Sequence, residues 1–120
     1  MENVIYGIKN CDTMKKTFAW FEAEGIGYRF HDYKKSGIDA ATLARWGAQL
    51  GWEALVNTRG TTWRKLAPEQ RVLTDVAAAV TLMQAQPSLI RRPVIETATG
   101  ELLLGLDAQR LAAVFVENSR

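Results

Sequence analysis

Cysteine and histidine are nearly missing from this sequence: its 120 residues hold one of each, Cys11 and His31. A single cysteine excludes an internal disulfide, and two such ligands alone do not build a zinc site, so no metal is expected. Long hydrophobic runs are missing as well. No apolar stretch approaches the roughly 20 residues that a membrane span needs, and none at the N-terminus resembles a signal peptide. Charge of one sign is not in excess. The 15 Lys and Arg set against 13 Asp and Glu leave +2, too little to argue for nucleic acid or an anionic membrane. No repeat or low-complexity tract appears. These absences leave one cytoplasmic domain in a reducing compartment, contacting neither membrane nor, directly, nucleic acid. What remains, 48% hydrophobic and 23% charged, is an ordinary globular composition with room for a core.

The chain is organised around residues 4–18. Val4-Ile5-Tyr6-Gly7-Ile8 is an apolar, β-branched run that predicts a buried strand. Lys9-Asn10 makes a polar turn, Cys11 follows, and Met14, Phe18 and Phe21 then fall on one helical face. Cys11 thus stands where a strand hands over to a helix N-terminus. Backbone N–H groups converge there and the helix dipole favours negative charge, so a thiolate is stabilised. Lys15 and Lys16 near the helix start, with Glu22 and Glu24 towards its end, oppose the dipole, whereas Asp12 suits it. Those lysines are either ordinary solubilising side chains or a source of positive potential at the thiol. A lone cysteine is commonly a small core residue. Its junction position, flanked by Lys, Asn and Asp, points instead to a reactive thiol.

Glycines 25 and 27 end the helix, and Tyr28–Tyr33 alternates as a second strand, completing a βαβ unit with a right-handed crossover. His31 reads as a strand residue rather than a general base. Lys34-Lys35-Ser36-Gly37 reads as a loop. Asp39 caps a helix with Leu43, Trp46 and Leu50 inward; Gly51 closes it, and 52–56 is a short helix. Residues 57–62 form a loop, 63–66 a helical turn, and Pro68 opens a further short helix. Asp75 or Thr74 caps a helix with Val76, Val80 and Met83 on one face, stopped by Pro87. Strand character returns at Pro93–Thr97 and again, after a turn, at Glu101–Leu106, an antiparallel hairpin interrupted by Gly105. Asp107 caps a closing helix with Leu111, Val114 and Phe115 inward. The order predicts an α/β fold with a four-stranded mixed sheet and a helical insertion between the second and third strands.

Three segments carry a resemblance: Ile5–Lys16, Asn57-Thr58-Arg59-Gly60-Thr61, and Leu89-Ile90-Arg91-Arg92-Pro93-Val94-Ile95. At these separations the chain resembles the ArsC family of thioredoxin-fold proteins, which includes glutaredoxin-coupled arsenate reductases, the regulator Spx and the YffB-like branch. The YffB-like branch is the most similar. The resemblance covers the whole chain as a single ArsC/Spx-like domain, with a thioredoxin-like core at 1–36 and 87–120 and the helical insertion at 37–86. It implies that Cys11 is the catalytic cysteine, Arg92 an anion-binding arginine and Pro93 the fold's cis-proline. Three features of arsenate reductases are replaced: a histidine by Gly7, and two further anion-binding arginines by Asn57 and Gly105. Arg59 lies two residues beyond Asn57 and stands as a replacement or as a plain loop residue. Arg91 reads as part of a basic turn.

The resemblance implies a glutathione-dependent thiol reductase. Position 14 is Met, so no C-x-x-C exists and an external thiol, glutathione or a glutaredoxin, must resolve the mixed disulfide. Lys9, Asn10, Lys15, Arg59, Arg92 and Pro93 are the expected glutathione- or substrate-binding residues; glutathione is a co-substrate, and no cofactor stays bound. Two other readings stand beside it. One is an Spx-like regulator that binds RNA polymerase, the other a scaffold with an inert cysteine. A residual arsenate reductase is a further alternative.

Overall fold

The computed structural model describes residues 2–116. Residues 1 and 117–120, the outer ends of the expected core segments, lie outside the described residues. In chain order the elements are β1 (Val4–Gly7), α1 (Asp12–Ala23), β2 (Arg29–Asp32), α2 (Tyr33–Ser36), α3 (Ala40–Leu50), α4 (Trp52–Leu55) and α5 (Thr61–Arg64). A 3₁₀ turn at Pro68–Arg71 precedes α6 (Val76–Ala85), and another at Pro87–Leu89 precedes β3 (Val94–Glu96), β4 (Leu102–Leu104) and α7 (Ala108–Phe115). The four strands form one mixed sheet in the order β2-β1-β3-β4, the α/β, thioredoxin-like arrangement the sequence predicts. No helix among the described residues is long and apolar enough to cross a membrane.

Two compact units divide the chain: residues 1–31 with 92–120, and residues 32–91. In the first unit β1 runs antiparallel to β3 (Tyr6↔Val94, Ile5↔Ile95, Val4↔Glu96), and β3 runs antiparallel to β4 (Val94↔Leu104). Because side chains alternate across a strand, Ile5, Ile95 and Leu103 share one sheet face. They pack with Met14 and Phe21 of α1 and Leu111 of α7, all essentially without exposure. Phe18, Trp20, Tyr28, Phe30 and Phe115 border this core half-buried; Phe18 stacks on Tyr28 at 5.5 Å and meets Phe30 edge-on at 5.0 Å. The fully buried residues of α1 are Met14, Thr17 and Phe21, and Phe18 packs against the same core half-buried. Thr17 tolerates burial because its hydroxyl donates to the Thr13 carbonyl at 2.7 Å.

The second unit is built of short helices held at their ends. Asp39 and Asp75 accept from the Thr42 and Ala78 N–H groups at 2.7 and 2.9 Å, so the caps read in the sequence are made. Leu43, Trp46, Leu55, Met83, Leu89 and Ile90 are buried within it. Two expectations are corrected here. Residues 33–36 form a helical turn and not a loop, because Asp32 accepts from Lys34 N–H at 2.9 Å and Gly37, at φ +66°, closes the turn onto the Tyr33 carbonyl. The inward face of α6 is Ala79, Val80 and Met83, while Val76 is 40% exposed. α6 carries no charged residue, so apolar spacing alone does not select its buried side.

Candidate functional site

Sheet register brings the site together. The Tyr6↔Val94 pairing places the C-terminal end of β1 beside the start of β3. A few residues onward from β1 lies Cys11; two residues back from Val94 lies Arg92. Gly105, after β4, joins the same end of the sheet by donating its N–H to the Pro93 carbonyl at 2.8 Å. Pro93 is buried, and the Arg92–Pro93 peptide is cis, as the resemblance implies.

Cys11 is the N-cap residue of α1, with extended backbone (φ −139°, ψ 131°), and its carbonyl accepts the first helical hydrogen bond from Lys15 at 3.0 Å. The side chain is partly exposed. Burial pushes its pKa up, but the Met14 N–H, the Thr13 N–H and the Arg92 guanidinium, by hydrogen bond and by charge, together outweigh it. The pKa is therefore held below that of an ordinary cysteine. Two helix N–H groups and one guanidinium facing one sulfur make a pocket for a thiolate.

The expected site residues distribute as follows. Cys11 and Arg92 are brought together, with Pro93 adjoining Arg92. Lys9, Asn10 and Lys15 flank Cys11 in the chain with exposed side chains. The positive charge acting on the sulfur is that of Arg92; Lys15 and Lys16 are not among the groups that shift it. Arg59 is an exposed residue of the second unit, in a loop closed by the Asn57 side chain, which accepts from Arg59 N–H at 3.1 Å. Arg91 is exposed and donates its N–H to the Leu55 carbonyl at 2.7 Å, within the same unit. His31 is half-buried, its ring 4.9 Å from that of Tyr6 on the neighbouring strand. Among the described residues no cluster of three His, Cys, Asp or Glu is placed to hold a metal.

The replaced positions now have physical form. Gly7 is buried, and a Cβ there would stand 2.5 Å from both Cε and Sδ of Met14, so any side chain at this position displaces the methionine terminus. Gly105 has φ +81°, a conformation that side chains disfavour. The Gly7–Met14 contact escaped sequence reasoning. Met14 was legible as a core residue, but nothing in the spacing says which neighbour its thioether meets.

Comparison with known proteins follows this geometry. The ArsC family model matches residues 6–114. An uncharacterized protein of Haemophilus influenzae is 39% identical over 111 residues, covering 92% of this chain and 96% of that protein. The structure of a YffB protein shares 49% identity with a TM-score of 0.88, covering 92% of this chain and 96% of its own. That of an arsenate reductase (ArsC) related protein from Brucella melitensis shares 51% identity with a TM-score of 0.74, covering 97% and 96%.

Proposed function

The chain belongs to the ArsC family, and from that premise we propose that it is a cytoplasmic, glutathione-dependent thiol reductase working through Cys11 alone. The observation that carries this reading is the partly exposed Cys11 sulfur faced by Arg92 and the Thr13 and Met14 N–H groups. The Cys11 thiolate attacks the glutathione sulfur of a mixed disulfide between glutathione and a substrate thiol. The S–S bond breaks, and the substrate sulfur leaves as a thiolate that takes a proton from water. A second glutathione, or a glutaredoxin thiol, then attacks the Cys11–glutathione disulfide. Oxidised glutathione, or the glutaredoxin–glutathione disulfide, leaves, and the Cys11 thiolate is restored. No protein thiol competes for the second step, because position 14 is Met and Cys11 is the sole cysteine.

Arg92 serves twice, holding the resting thiolate and meeting negative charge that builds on sulfur during exchange. Lys9, Asn10 and Lys15 are the groups for the two carboxylates of glutathione, with backbone pairing at Pro93. Arsenate is a poor substrate on this reading. A compact oxyanion needs several charged donors converging on one small volume, and Gly7, Asn57 and Gly105 supply no charge. The test is deglutathionylation against arsenate reduction, each with excess glutathione and glutaredoxin. Thiol transfer lost in Cys11→Ser, with little arsenate turnover by the native chain, is the expected result. Efficient arsenate turnover, or equal thiol transfer by Cys11→Ser, contradicts it.

A further inference from the structure

Gly7 is a glycine without a backbone reason. It lies in β1, and unlike Gly25, Gly37, Gly51, Gly100 and Gly105 it has no positive φ. A glycine inside a strand weakens it and commonly marks a close approach. The approaching group is Met14, whose Cε and Sδ stand 2.5 Å from where a Cβ would be and whose Cγ stands 3.4 Å away. A methionine terminus ordinarily swings aside at little cost. Met14, however, is fully buried among Ile5, Phe21, Ile95, Leu103 and Leu111, so a displaced terminus moves within a packed core. Met14 is also the third residue of α1, in the turn whose N–H groups face Cys11.

We propose that Gly7 and Met14 are a size-matched pair that seats the first turn of α1 against β1 and thereby positions the Thr13 and Met14 N–H groups on the Cys11 sulfur. Met14 is then a positioning residue: its side chain fills the space Gly7 leaves, and its backbone, so anchored, serves the thiolate. Hydrogen bonds to an anion weaken steeply with misalignment, so a turn free to shift by a fraction of an ångström serves it poorly. The proposal rests on the reading of Cys11 as the working thiol, but its test does not use the reductase reaction.

The experiment is the pH titration of the Cys11 thiolate by ultraviolet absorbance, with the rate of alkylation at neutral pH, across a set of variants. Met14→Leu, a volume-conserving swap that cores tolerate, keeps the native midpoint. Met14→Ala raises the midpoint and slows alkylation by up to about tenfold, the scale of one hydrogen bond to a charged group. Gly7→Ala added to Met14→Ala refills part of the space and returns the midpoint towards the native one. Phe21→Ala empties the same core two turns along α1 and leaves the midpoint in place. Should Met14→Ala not fold, Met14→Val takes its place with the same sign required. A native midpoint in the truncated Met14 variant, or an equal shift in Phe21→Ala, overturns the proposal. Retained thiol transfer in Cys11→Ser would instead remove the reductase reading, and the two failures are read on different instruments.

Discussion

The two ends of the sheet in the first unit use their polar groups in opposite ways. At the Val4↔Glu96 end, Asn3 spends both halves of its amide, donating to the Gly27 carbonyl at 3.0 Å and accepting from Ala98 N–H at 2.7 Å. Thr97, buried there, bonds Thr99 at 3.0 Å and takes the Glu101 N–H at 2.9 Å. Donors and acceptors are matched within the chain, and the result is a pin joining strand ends. At the Tyr6↔Val94 end, two N–H groups and the Arg92 guanidinium act on the Cys11 sulfur and lower its pKa against the effect of burial. One end holds the fold together; the other holds a charge.

Substitutions at the two ends separate stability from chemistry. The largest effect is expected at Cys11, where Ser lowers thiol transfer roughly 10³-fold or more, the scale of losing an attacking group, while the chain stays folded and loses only the stability that the thiolate contributes. Asn3→Ala does the reverse. It costs about 1–3 kcal/mol in denaturant titration by stranding its partners, with the Cys11 titration unmoved. Arg92→Gln slows alkylation of Cys11 at neutral pH by about tenfold, with little loss of stability. The smallest effect belongs to Lys15→Ala, which raises the KM for glutathione by about threefold, as an exposed charged contact does. A stability loss at Arg92 larger than at Asn3 would collapse the distinction between the two ends.

Much of this was legible from local pattern. β1, α1, the hairpin, the Asp39, Asp75 and Asp107 caps and the cis Arg92–Pro93 peptide were all expected from neighbours in sequence or from the family resemblance. The misses share a cause: each depends on a partner that spacing does not name. Thr17 joins Phe18 on the core side of α1, and more deeply, because a side chain-to-backbone bond satisfies its hydroxyl. The exposure of Val76 was not legible because α6, with no charged residue, gives little periodic clue to its buried side. The positive charge on Cys11 comes from Arg92, eighty-one residues away, rather than from adjacent lysines, because strand register and not chain proximity sets distance.

The central claim is that Cys11 is held as a thiolate by the end of the sheet that holds Arg92. A pKa depressed in the folded state adds stability that is fully present above the unfolded pKa and fades as pH falls through the folded one. The stability difference between the native chain and Cys11→Ser should therefore narrow on acidification through that window. The most direct measurement is the thiolate absorbance of Cys11 against pH in the native chain and in Arg92→Gln. The account predicts a native midpoint below the ordinary cysteine value of about 8.5, displaced upward in the variant. A native midpoint at or above that value, or one that Arg92→Gln leaves unchanged, would contradict it.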